Sequence, residues 1–326
     1  MLINSLCALA IGFVLDMIIG DPSGKLYPLN FIKKLINGLE NKIRKTYDVT
    51  PEAQHAAGFM LVMLTMIICV GVSLGLVILF YKISVLLGLI FEGILCWCSL
   101  SIKYLRSSAS SVFRSARAGN LDSAKRKLKK ITNREVENLD MDGVIKCAVE
   151  CVSENTIDWA CGPIIWILLF GGVGGIFCRC ANLLDNTVGY KTDKYKNFGT
   201  AAAKLDDVVM FVPARIAAAL MRMDVKFLSL DKRNARRIYY RDKKKALSPN
   251  SAQTQSVCAG ALGITLGSDE YYDGQLVRKP EIGSRIKECD PYDIYWANHL
   301  LNGTSSLCIL LAAVIRVCIF LIVKFI

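Results

Sequence analysis

The sequence predicts an all-α polytopic integral membrane protein. Three observations predict it. From Ala56 to Tyr81 the chain carries no charge, a run longer than the ~20 residues a helix needs to cross a bilayer. Hydrophobic residues make up 53% of the 326 and mean hydropathy is positive, which is too apolar for a soluble fold of this length to be the simplest reading. Finally, the net charge of +12 is concentrated in polar stretches between the apolar ones, and such Lys/Arg excess marks cytoplasmic segments.

The elements follow in order. A first span is expected over 2–20, apolar apart from Asp16. It lacks a basic n-region and a small-residue cleavage site before Gly20-Asp21-Pro22, so it reads as a retained span rather than a signal peptide. Six Lys/Arg between Asp21 and Glu52 place that segment in the cytoplasm. Spans over 58–81 and 83–102 then form a hairpin turning near Lys82, with Glu92 the one interruption. From Lys103 to Glu150 there are 11 Lys/Arg against 6 Asp/Glu, and from Arg222 to Lys245 10 against 3. Both stretches read as amphipathic cytoplasmic helices, with starts at Asn120-Leu121-Asp122 and Met141-Asp142 and a third helix from Phe227 to Tyr240. These charges suit anionic lipid headgroups. Neither stretch matches a nucleic-acid module, so no nucleic-acid partner is expected.

Segment 159–180 is unusual. Trp159 to Cys178 is uncharged, but Gly171-Gly172-Val173-Gly174-Gly175 places four glycines in five positions, enough to break a helix midway. Irregular backbone at membrane depth is tolerated where protein buries it, so a re-entrant or broken helix is expected there. A second such segment is expected over 206–221, which is short and holds Pro213 and Arg215. Ser248-Pro249-Asn250 is a turn, 267–283 a small irregular or hairpin region, and 306–326 the last span. Together these make one membrane-embedded domain over 1–326.

Thirteen cysteines without a C-x-x-C pair and only two histidines, His55 and His299, argue against zinc and disulfide scaffolds. The chemistry lies instead in acids and amides flanking the broken segment, groups costly to desolvate without a role. Glu154 and Asp158 are four apart and share a face of any helix, with Glu150 one turn earlier; Asn182 and Asp185 are three apart. Asp21 sits at the cytoplasmic end of the first span, and Asp206 and Asp207 add acid. Such hard oxygen donors suit Mg²⁺ rather than zinc. Lys191, Lys194, Lys196, Lys204 and Arg215 could hold phosphates, although ordinary interfacial charge is the stronger reading of Lys194 and Lys196. Gly20 to Lys25 lacks the spacing of a phosphate loop.

Several ordered motifs carry a resemblance: Asp16-x-x-x-Gly20-Asp21-Pro22, Ser153-Glu154-Asn155-Thr156-Ile157-Asp158, Asn182-x-x-Asp185-x-x-Val188-Gly189-Tyr190-Lys191, Leu205-Asp206-Asp207, Pro213-Ala214-Arg215 and Ser248-Pro249-Asn250. With Ala259-Gly260-Ala261-Leu262-Gly263 and Lys279-Pro280-x-x-Gly283, the chain resembles the adenosylcobinamide-phosphate synthase family of cobalamin biosynthesis over nearly its whole length. It departs in having Trp159 where the family usually has Gly, and Ser251-Ala252-Gln253 after the Ser-Pro-Asn turn. The resemblance implies an ATP-dependent ligase joining adenosylcobyric acid to aminopropanol phosphate, or to aminopropanol. It implies ATP and Mg²⁺, with Asp21, Glu154, Asp158 and Asp185 as metal candidates and Glu154, Asp158 and Asp185 as catalytic ones. Lys191, Lys204 and Arg215 become phosphate or carboxylate binders, Asn155, Asn182 and Asn250 hydrogen-bonding positioners, and Tyr190 a further binding residue. A multi-pass cell-membrane protein with its active site facing the cytoplasm is expected. Its partners would be the corrinoid, the amine, membrane lipids and other late pathway enzymes. The rivals are a non-catalytic regulator or sensor of the same fold, and a transporter; acids at segment ends rather than span centres speak for surface chemistry.

Overall fold

Apolar runs without strand-like alternation become helices in the computed structural model, which describes residues 2–21, 28–190, 192–267, 270–272 and 275–325. In chain order the helices are α1 (Leu2–Ile18), α2 (Pro28–Thr46), α3 (Pro51–Ile83), α4 (Val85–Ser99), α5 (Ile102–Arg117), α6 (Leu121–Leu128) and α7 (Met141–Thr156). After a π turn over Ile157–Cys161 come α8 (Gly162–Val188), α9 (Thr200–Val209), α10 (Phe211–Phe227), α11 (Lys232–Asp242), α12 (Ser251–Leu262) and α13 (Pro291–Phe325). Of four short strands, β1 (Thr265–Leu266), β2 (Glu270–Tyr272), β3 (Gln275–Val277) and β4 (Ile282–Gly283), the last three fall in the region 267–283 expected to be irregular or a hairpin. Four helical runs have the length and apolarity of a membrane span: Pro51–Ile83, Val85–Arg117, Met141–Val188 and Pro291–Lys324, while Asn4–Ile18 is apolar but shorter. The chain is an all-α polytopic membrane protein.

Local chemistry moves several boundaries. The third apolar segment ends at Ser99 because Leu100 is extended, with φ −95° and ψ 150°. The helix expected from Phe227 starts only at Lys232, since Ser229 turns the chain at φ 57°. Asp231 then caps the new start, its Oδ1 accepting from the N–H groups of Arg233 and Asn234. In segment 206–221 the break falls at Met210, and Pro213 lies in the first turn of α10, where its missing N–H has no partner to lose.

The chain forms two compact units: Met1–Ser101, Gly162–Met210 and Leu310–Ile326 in one, Ile102–Cys161 and Phe211–Ile309 in the other. In the first unit, α1 packs closely on α4, where a Cβ at Gly12 would stand 2.7 Å from Trp97 N, so a small residue permits the approach. Trp97 Nε1 donates to Gly20 O at 2.9 Å. Amphipathic α2 buries Leu29, Ile32, Ile36 and Ile43 in a core shared with Leu61, Leu184 and Phe198.

The sharpest feature of this unit is a reversal inside α8. Phe170 has φ −128° and ψ 15°, and Gly171 has φ 66° and ψ −158°. Beyond the break, residues meet partners eight to eleven positions back: the Trp166 and Phe177 rings are 4.8 Å apart, and a Cβ at Gly175 would stand 2.8 Å from Ile167 Cγ1. In an unbroken helix eight residues span about 12 Å, so the chain folds back on itself as a helical hairpin. Glu92, the acid interrupting the third apolar segment, is buried against this turn. Its Oε1 accepts from Gly172 N at 3.2 Å and its Oε2 from the Tyr81 hydroxyl at 2.6 Å.

In the second unit α12 is buried along its whole length. Asn234 Nδ2 of α11 donates to Gly260 O at 2.7 Å, and a Cβ at Gly260 would stand 2.7 Å from Ala235 Cα. β1 pairs with β4 and β2 with β3, both antiparallel. Fully buried Asp242 holds β4 to α11, accepting from Gly283 N at 2.8 Å and pairing with Lys245 at 2.9 Å. Asp224 of α10 lies against Gly303, and burial lifts its carboxyl to about 6 against an opposing Thr304 N–H.

Two outcomes follow from this architecture. Gly171 occupies a backbone region open essentially to glycine alone, and a Cβ there would strike Glu92 Oε1. Gly171→Ala should therefore cost about 1–3 kcal/mol, read as a lower melting temperature in detergent; an unchanged melt would mean the turn is not required. The raised carboxyl of Asp224 favours the protonated folded state, so its contribution is full below the unfolded value of 3.8 and lost as pH rises through about 6. Asp224→Asn should flatten the melting temperature between pH 4 and 7; a wild-type slope in that variant would assign the dependence elsewhere.

Candidate active site

In the second unit α7 starts at Asp140, whose Oδ1 accepts from Gly143 N at 2.8 Å. The helix carries Glu150 into the interior, 2% exposed. Two donors hold that carboxylate: Arg134 Nη1 at 2.6 Å and Gly267 N at 2.6 Å. Arg134 is itself buried, and its Nη2 lies 3.9 Å from Glu154 Oε2. Glu154 is the open member of the trio, its side chain 35% exposed, and it accepts from Gln255 Nε2 of α12 at 3.2 Å. A buried charge pair persists only with its remaining lone pairs satisfied, and both Glu150 oxygens are satisfied here.

One turn further the helix changes character. A π turn over Ile157–Cys161 follows Glu154 and carries Asp158 within it. Such insertions recur at functional sites. Asn155 and Asp158 are half-buried, and the Trp159 ring packs 6.1 Å from that of Tyr104. In the same unit Arg215 and Asn250 come together: Arg215 Nη1 donates to Asn250 Oδ1 at 3.3 Å and to Phe211 O at 2.6 Å. The guanidinium lies 3.3 Å over the Phe211 ring, a cation–π contact that fixes its plane. Asn250 is set by the Ser-Pro-Asn turn, its N–H donating to Ser248 Oγ at 3.2 Å.

The first unit holds the other residues singled out by sequence. Asp21 Oδ2 accepts from Ser101 Oγ at 3.0 Å, and Arg179 Nη2 reaches the same hydroxyl at 3.4 Å. Arg179 and Asn182 are buried and Asp185 half-buried, three residues apart each, so they form one stripe on the second arm of α8. Tyr190 donates its hydroxyl to Asn186 O at 2.8 Å, and Lys204 is exposed on α9. Lys194 serves local structure, bonding the Tyr195 hydroxyl at 2.7 Å and lying 3.7 Å from Glu40. Lys191 lies outside the described residues.

The candidate metal set thus divides, Asp21 and Asp185 in one unit and Glu154 and Asp158 in the other. Among the described residues no group of three or more His, Cys, Asp or Glu stands ready to hold a metal ion. Sequence reasoning missed Arg134, Gln255, Ser101 and Arg179. Arg134 and Arg179 looked like ordinary basic residues beside charged or apolar runs. Gln255 had a usable signal, a large amide in a small-residue helix with no charge.

Fold and residues define a polytopic membrane protein with acids, amides and arginines built into the ends of its apolar segments. The chain belongs to the CobD/Cbib protein family, whose model matches residues 9–301. The cobalamin biosynthesis protein CobD of Clostridium perfringens is 38% identical over 310 residues, 94% of this chain and 96% of that protein. The proteins of that name from Streptococcus sanguinis and Listeria monocytogenes are each 33% identical, covering 92% and 94% of this chain and 94% and 97% of their own lengths. No solved structure matches the chain.

Arg134→Ala should leave Glu150 buried without its cation and cost about 3–5 kcal/mol, seen as early unfolding in pulse proteolysis. Adding Glu150→Gln should recover part of the loss. If the second change brings no recovery, the pair is not what Arg134 supports.

Proposed function

We propose that this protein is an adenosylcobinamide-phosphate synthase. It would use ATP to join a propionate carboxylate of adenosylcobyric acid to the amine of aminopropanol phosphate, or of aminopropanol. The observation supporting this most directly is the family match over residues 9–301, since similar members are named for cobalamin biosynthesis.

A carboxylate accepts an amine only once one of its oxygens can leave. Phosphoryl transfer from ATP to that oxygen supplies the leaving group. The amine nitrogen then attacks the carbonyl carbon, the C–N bond forms, the C–O bond breaks, and phosphate departs with the bonding pair. One proton must leave the nitrogen. Glu154, partly open to solvent and oriented by Gln255, is our candidate to take it. Arg215, its plane fixed by Phe211 and Asn250, offers its remaining donors to a phosphate or propionate group. Asn155, Asn182 and Tyr190 orient the substrates, and Lys204 adds exposed charge for an anion.

Magnesium needs one or two carboxylates when nucleotide phosphates supply its other ligands, so Asp21 and Asp185 of the first unit, or Asp158 of the second, fit an ion that arrives with ATP rather than a resident centre. It would neutralise charge on the phosphates. The Lys/Arg excess of the polar segments supports a cytoplasmic face for this chemistry.

Membranes containing the protein, given adenosylcobyric acid, ATP, Mg²⁺ and each amine, should yield an aminopropanol-linked corrinoid by mass spectrometry. Glu154→Gln should lower the rate by about 10²–10⁴-fold while protein remains in the membrane. No product with either amine would overturn the reading; ATP-stimulated corrinoid uptake by sealed vesicles without product would favour a transporter.

A further inference from the structure

We propose that the first unit holds a binding site for one anionic phospholipid, its acyl chain in a cleft beside α2 and its headgroup on Lys33 and Lys34. The cleft measures about 320 Å³ and is lined by Phe31, Ile32 and Leu35 of α2, Ile68 and Val72 of α3, and Ile176 of α8. The polar group in its wall, Ser73 Oγ, is already bonded to Cys69 O of its own helix. Such an apolar cleft excludes water and takes apolar ligands.

The mouth faces the surroundings of a membrane span. Phe31 is 51% exposed and Val72 57%, and only 22% of the apolar window of α3 is covered by protein. Acyl chains are therefore the ambient ligand. An acyl chain alone gains little by leaving a bilayer as apolar as the cleft, so selectivity must come from its headgroup. Charge supplies it. From Pro28 to Gly38, α2 carries Lys33 and Lys34 and no acid; both lysines are exposed. Lys34 Nζ lies 5.8 Å from the ring centroid of Phe31, a residue that lines the cleft, so the positive charge stands at the entrance. Glu40, the next acid along α2, is engaged by Arg44 at 2.9 Å and does not cancel it. An amphipathic helix with lysines beside an apolar face suits the phosphate level of an anionic leaflet.

The test uses full-length protein in nanodiscs of equimolar phosphatidylglycerol and phosphatidylcholine, released into native mass spectrometry. Wild type should keep one phosphatidylglycerol with at least a five-fold preference over phosphatidylcholine. The exposed double variant Lys33→Gln/Lys34→Gln should lose the preference while melting like wild type. Ile176→Phe, which fills the cleft, should lower retention of both lipids. Equal retention of the two lipids by wild type, or a preference that survives loss of both lysines, would overturn the proposal. Should Ile176→Phe fail to fold, the lysine variant decides alone.

Discussion

One buried carboxylate makes the chain's sharpest reversal possible. A helix that stops within an apolar segment leaves N–H groups that lipid cannot satisfy, and Glu92 takes one of them at Gly172 while Tyr81 holds its other oxygen. An acid in a span is expensive, and by default reads as functional. Here it serves architecture. The position that must be glycine, the acid that meets it and the phenol behind that acid come from α8, α4 and α3, and they form one constraint. The second arm of α8, with Arg179, Asn182 and Asp185 along one stripe, takes its direction from that turn.

Each unit also sets an arginine into its polar cluster. Arg134 lies between Glu150 and Glu154, and Arg179 reaches the hydroxyl that bonds Asp21. Both are buried. A buried guanidinium cannot shed its proton, so each cluster keeps a fixed positive charge. Glu154 then differs from Glu150 in access rather than in charge partner. That difference separates a carboxylate sealed in the interior from one that solvent reaches.

The apolar runs, the basic polar stretches and the glycine cluster were legible in sequence because each is a local signal. So were the start at Asn120, the start of α7 at Met141 and the turn before Ser251. The start of α11 was not, since a tight turn at Ser229 and a cap at Asp231 delay the helix expected from Phe227. The acids and amides of the site were visible as costly groups beside apolar sequence. Their partners were hidden by distance along the chain: Gln255 lies 101 residues from Glu154, and Ser101 78 from Arg179. The π turn after Thr156 was not read from the sequence, although Pro163 just beyond it offers no N–H to Trp159 O.

The clasp at Gly172 has a direction in time. A chain is made from its N-terminus and tends to fold in that order. Tyr81 and Glu92 are synthesised some eighty residues before the glycine they serve. The acceptor is therefore already in place when the broken segment emerges, and the turn closes onto a waiting carboxylate. A biosynthetic sequence in which the break came first would leave bare amides facing hydrocarbon. The order of the helices along the gene is thus part of how this hairpin is kept from becoming an ordinary span.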